Sequence, residues 1–145
     1  MSQLRTLGFF EALIQTTQEW MVELTELTGR HDEHKAWQML RAVLHVLRDR
    51  MTIAHSAHLS AQLPTIIRGL YFEGWRPTEQ PVKLRTRDEF IASVNEELSG
   101  HPEIDPNQAV ECVFQLLSNR ITGGELEKIK GALQPELRAM WPEEA

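Results

Sequence analysis

Apolar residues recur at i, i+3, i+4 and i+7 along most of the chain, and no β-branched run alternates with period two. That pattern predicts an all-α protein. A first helix is predicted over Phe9–Thr28, with Phe10, Leu13, Ile14, Thr17, Met21 and Leu24 as its buried stripe and Gly29 as its stop. Asp32 can cap a second helix that runs to about Arg50 and carries Trp37, Leu40, Val43, Leu44 and Leu47 on one face. Thr52 can cap a third, through Gln62. Pro64 fits the first turn of a short fourth, whose apolar face is Ile66, Ile67 and Leu70. Gly74, Pro77 and Pro81 then interrupt all periodicity. The helical pattern resumes at three capping signals, Thr86–Glu89, Asp105–Gln108 and Thr122–Glu125, and Pro135 opens a last short helix.

The pattern also repeats. Sliding the chain by 70 positions sets Gln38 on Gln108, Val43 on Val113, Leu47 on Leu117, Arg50 on Arg120, Thr52 on Thr122, Leu63 on Leu133 and Arg68 on Arg138. Tyr71 falls on Trp141, while Pro64 and Pro135 are one position out of step. Two amphipathic helices always match at some offset, but helical periodicity alone does not align caps, arginines and turns as well. The expectation is a tandem duplication in which residues 38–71 recur as 108–141. Each half holds about three helices plus a short proline-started one, and the two pack as one compact bundle because neither buries its stripe alone. The predicted organisation is a single domain over 1–145, with a first helical half over 9–75, a linker over 76–85 and a second half over 86–142.

Two long strings support a family resemblance. They are Ala42-Val43-Leu44-His45-Val46-Leu47-Arg48-Asp49-Arg50 and the segment from Ala61 to Pro77, which reads Ala-Gln-Leu-Pro-Thr-Ile-Ile-Arg-Gly-Leu-Tyr-Phe-Glu-Gly-Trp-Arg-Pro. Together with Pro135-Glu136-Leu137-Arg138-Ala139-Met140-Trp141-Pro142, the chain resembles a bacterial family of unknown function, domain-of-unknown-function family 2267. The resemblance covers nearly the whole chain. It departs at Ala132-Leu133-Gln134-Pro135, where a Gln-Leu-Pro order is expected. The resemblance implies an all-helical duplicated fold in a small bacterial protein, and it implies no reaction.

Composition narrows the class. The 145 residues suffice to bury a core without a staple, and 41% hydrophobic with 25% charged residues is ordinary for a globular protein. No apolar run is long enough to cross a membrane, and the interrupted apolar pattern of the first eleven residues argues against a secretory leader. The single cysteine, Cys112, suits a reducing compartment, so the expected location is cytoplasmic. Net charge is −6, and an acidic surface repels nucleic-acid backbones. The exception is Arg76, Lys83, Arg85 and Arg87, a basic run either solvated or paired with acidic helix ends.

Four groups of residues could carry chemistry. His55 and His58, at i, i+3, could present two imidazoles to a metal, but no third ligand lies nearby in sequence, and as plain surface histidines they need no explanation. His31-Asp32-Glu33-His34 doubles as a helix start with acidic side chains near the positive end of the dipole. Asp49 and Arg50, with the repeated Arg120, Arg68 and Arg138, read as structural struts that hold helix ends, Asp49 able to take one guanidinium bidentately. Arg68, Tyr71, Trp75 and Arg76 could line a ligand or partner patch, or fold back as a plug with the Trp75 N–H satisfied. The chain carries no phosphate-cradling glycine loop, no paired-cysteine spacing and no nucleophile elbow. No cofactor is implied and no catalytic residue is assigned. The expected function is a non-enzymatic module that associates with a protein partner or with itself. The alternatives are a small-molecule or metal site between the halves and, more weakly, nucleic-acid binding through the basic linker.

Overall fold

Asp32, Thr52 and Thr86 each adopt extended backbone and turn a side-chain oxygen onto an amide three residues ahead, which starts the following helix. The computed structural model describes residues 8–83 and 85–143, and among them there are eight α-helices and no strand. The fold is all-α. Residues 1–7, part of the segment weighed above as a leader, lie outside the described residues, as do position 84 in the predicted linker and positions 144–145.

The helices are α1 (Gly8–Thr28), α2 (Glu33–Arg50), α3 (Ile53–Ser60), α4 (Thr65–Phe72), α5 (Arg87–Glu97), α6 (Pro106–Arg120), α7 (Gly123–Gly131) and α8 (Pro135–Arg138). A single 3₁₀ turn, Pro77–Glu79, breaks the run between α4 and α5. Gly29 ends α1 at φ 73°, in the left-handed region where a Cβ is strained, as the stop signal predicts. Helices α2 and α6 form the centre. Helix α1 packs along both, α4 and α5 cover α2, and α5 also lies on α6. Leu40, Leu44 and Leu47 of α2 and Val113, Phe114 and Leu117 of α6 are wholly buried. Trp141 stacks on Phe114 with centroids 4.0 Å apart and planes 9° from parallel, closing the core past α8. Among the described residues, no helix is long and apolar enough to cross a membrane.

Local expectations are corrected in three places. The α1 stripe is buried only from Trp20 onward: Met21 and Leu24 are in the core, but Phe10 and Ile14 are 46% and 45% exposed. Pro64 stands one residue ahead of the helix it was expected to enter, acting as its N-cap in extended backbone. Thr122 makes no side-chain cap bond, and Asp105 reaches the Asn107 amide without a reciprocal bond from Gln108. The would-be partners are engaged elsewhere. Glu125 turns to His58, and Gln108 donates to the Thr28 carbonyl at the end of α1.

Candidate functional site

The last turns of α2 and α4 meet, and α2 supplies the donors that the end of α4 needs. His45 and Arg48, three residues apart, share a helix face. His45 Nε2 lies 2.8 Å from the Leu70 carbonyl, and Arg48 donates to the carbonyls of Tyr71 at 2.8 Å and Glu73 at 3.0 Å. Because the partner of His45 is a carbonyl, Nε2 carries the proton. Burial, helped by the nearby Arg48 and Arg41 cations, holds the His45 pKa below its ordinary value against the opposing Leu70 hydrogen bond, so the ring is neutral. Asp49 takes the other edge of Arg48 bidentately, at 2.8 and 3.3 Å. The Tyr71 hydroxyl donates to the Ser56 carbonyl, the Ser56 hydroxyl donates to the Arg48 carbonyl, and burial pushes the phenol well above its usual range.

The segment after α4 is strapped onto this corner. The side-chain amide of Gln80 donates to the carbonyls of Arg48 and Met51 and to the Ser56 hydroxyl, while its oxygen accepts the Trp75 indole N–H at 2.6 Å. Two residues on, the Val82 amide donates to the Asp49 carbonyl, and the Arg50 guanidinium donates back to the Val82 carbonyl. Carbonyls left over at the end of α2 are thereby given donors by the segment that follows α4. Neither His45 nor Gln80 stands out in the sequence. The one signal available is the spacing of His45 and Arg48 on an otherwise apolar stripe; Gln80 carries none.

The residues singled out from the sequence are distributed as follows. Arg68 donates to the carbonyls of Ser60 and Leu63, tying the α3–α4 corner, and Arg138 makes the same two bonds to Lys130 and Leu133 at the α7–α8 corner. Tyr71 is fully buried, Trp75 is half-buried against Phe72, and Arg76 is exposed beside Glu79. These four do not converge on one surface. Asp49 pairs with Arg48 and not with Arg50, and Arg120 pairs with Glu23 of α1 at 2.7 Å beneath the Trp20 ring. His55 Nδ1 meets its own N-cap hydroxyl, Thr52 Oγ1, at 2.9 Å, whereas His58 Nε2 lies 2.6 Å from a Glu125 carboxylate oxygen of α7, out of line for a hydrogen bond. The two histidines therefore have separate partners. Among the described residues, no three His, Cys, Asp or Glu side chains gather as a metal would require. Cys112 is buried against the Leu27 carbonyl, and burial raises its thiol pKa.

With the α2–α4 corner in view, the strings that carry the family resemblance acquire a place: they are the two strands of contact that build it. The family model of an uncharacterized conserved protein, DUF2267, matches residues 17–140. The chain belongs to this family. No curated protein matches the sequence. Within DUF2267 the matched segment starts at Thr17, so the first turns of α1 precede it. That stretch is also poorly covered among the described residues. From Gly8 to Glu19 no residue is buried, and Phe9, Phe10 and Ile14 are 60%, 46% and 45% exposed, with Leu13 half-buried beside them.

Proposed function

We propose that this DUF2267 protein is a non-enzymatic interaction module that pairs with a second copy of itself through the apolar face at the start of α1. The observation that carries the reading is the split fate of one helix stripe. Phe10, Leu13, Ile14 and Thr17 continue the line of Met21 and Leu24, yet only the latter two have core to pack against. Exposed apolar clusters of this kind mark association sites. A second copy suits the charge pattern. Between Glu11 and Glu19 the helix carries no charge, so two copies crossing there in opposite directions bring uncharged flanks together about a twofold axis. The polar cluster at the α2–α4 corner supports the non-enzymatic reading, because its donors and acceptors are engaged with backbone groups.

The finer fold reading belongs to the same proposal. We read the body as a tandem duplication within a single domain, with halves over 9–75 and 86–142 joined by 76–85. The matching carbonyl pairs of Arg68 and Arg138 support it, as do one long helix followed by two short ones in both α2–α4 and α6–α8, and Trp20 and Phe90 as the buried aromatics of α1 and α5. A buried lone thiol fits a cytoplasmic setting. Features present in both halves serve the scaffold, and those present in one, such as the free end of α1, serve the partner.

Sedimentation equilibrium tests the pairing. The expected result is a reversible dimer with a Kd of roughly 10–100 µM, weak because a half-helix face falls short of the about 800 Å² per partner of stable complexes. Phe10→Glu and Ile14→Glu are expected to leave the helical circular-dichroism signal intact and yield monomers. A wild-type chain that stays monomeric throughout that range sinks the reading.

A further inference from the structure

Arg50 and Arg120 are the same arginine seventy positions apart, each at the last residue of its central helix, and the fold treats them differently. Arg120 has a carboxylate: Glu23 at 2.7 Å. Arg50 has only carbonyls. Its terminal nitrogens donate to Val82 and Asp49 backbone oxygens, its Nε is buried without a hydrogen-bond partner, and no carboxylate reaches ion-pair distance among the described residues. The two acids near enough to act on its charge are engaged elsewhere. Asp49 holds Arg48, and Glu89 closes the α5 capping box by accepting from the Thr86 and Arg85 amides and the Thr86 hydroxyl. Burial lowers the Arg50 pKa to about 10, so the cation is present at neutral pH yet poorly compensated.

Arg50 lines a groove of about 360 Å³ between the linker and the α7–α8 corner. Lys83 and Arg85 stand on the linker side, exposed and without an ion pair among the described residues. Leu133, Leu137 and the Gln134 amide form the opposite wall, and among the described residues no acidic side chain lines the groove. Three cations beside a wall that carries no charge, in a chain of net charge −6, are a local inversion of sign. Such an inversion concentrates anions where the rest of the surface repels them. The groove is short and walled on one side by leucines, which favours a small ligand over a polymer backbone.

We propose that this groove binds a small phosphorylated organic anion. Its phosphate oxygens would be taken by Lys83 and Arg85 beside the charge of Arg50, and its less polar body would lie on Leu133 and Leu137. Lys83 and Arg85 are the donors free to move onto a ligand, and Arg50, locked by two carbonyls, contributes fixed positive potential.

Isothermal titration of the full chain with inorganic pyrophosphate at constant ionic strength tests the proposal, with a short single-stranded oligonucleotide as a parallel titrant. Saturable one-to-one pyrophosphate binding is expected. It should weaken by at least about tenfold in Lys83→Ala/Arg85→Ala, the loss of two charge-assisted contacts. Both side chains are exposed, so that variant keeps the wild-type melting temperature without ligand. Arg30→Ala/Lys128→Ala removes the same charge elsewhere and should bind as wild type. Absent saturation, or an equal loss in both double variants, overturns the site. Tighter binding of the oligonucleotide, growing with its length, overturns it in favour of a nucleic-acid surface.

Discussion

His45 illustrates what a single buried polar side chain contributes here. It is 4% exposed, donates from Nε2 to the end of α4, and is held neutral chiefly by burial. The unfolded chain takes up the proton near the ordinary histidine pKa, whereas the folded chain resists it, so the unfolded state binds more protons below that point. Stability from this group is therefore full above about pH 6.5 and falls as the pH drops below it. Urea unfolding at about pH 7.5 and about pH 5.5 should show a loss in the wild type that is smaller in His45→Gln, which keeps a donor and cannot titrate. An equal loss in both proteins would remove His45 from the account. The sequence holds little warning of this role. A histidine on an apolar stripe is legible, but the carbonyl it serves sits 25 residues away and is set by how α4 docks.

At the scale of the element, sequence dictates structure most directly where the physics is local. The Thr86 box forms as its spacing requires, Asp32 and Thr52 cap as expected, and the glycine stop of α1 holds. Legibility failed where a tertiary partner outbid a local one. Glu125 abandons the amide-capping role for His58, and Thr122 is left without a cap bond. The two threonines therefore differ energetically despite matching in sequence. Thr86→Ala is expected to destabilise by about 1 kcal/mol, and Thr122→Ala by a small fraction of that, by chemical denaturation. Comparable losses would mean that Thr122 does cap α7 in solution. The α1 stripe is a second such case. Periodicity identifies the apolar face, but whether anything covers it depends on how far α2, α4 and α6 extend alongside. Phe10 and Ile14 fit a core pattern and are exposed nonetheless.

For the molecule as a whole, the segment between α4 and α5 is a structural strap and not a passive tether. Gln80 alone binds the end of α2, the start of α3 and Trp75. Replacing Gln80 with Ala should cost about 2 kcal/mol in urea unfolding, because several buried groups lose partners together. It should also shift Trp75 emission to the red. If neither stability nor emission changes, the strap does not hold the corner. The same strap carries Lys83 and Arg85 to the groove edge, so the binding surface and the joint between the helical sets share one short piece of chain. The two long strings of the family resemblance fall on the α2–α4 corner, inside the family match over residues 17–140. The basic run, by contrast, was visible as charge but not as a groove, since its opposite wall comes from residues some fifty positions later.

Helix α1 has one more consequence. It is a single unbroken rod of 21 residues, about 31 Å long, buried in places over its latter half and, among the described residues, nowhere buried over its former. Near its seated end, Glu23 holds both Asn119 and Arg120 at 2.7 Å, at the last turn of α6. A stiff rod pinned at one end and gripped at the other is a lever. A companion that gripped Phe9 and Phe10 would act, through that rod, on the Glu23 clamp at the tip of α6.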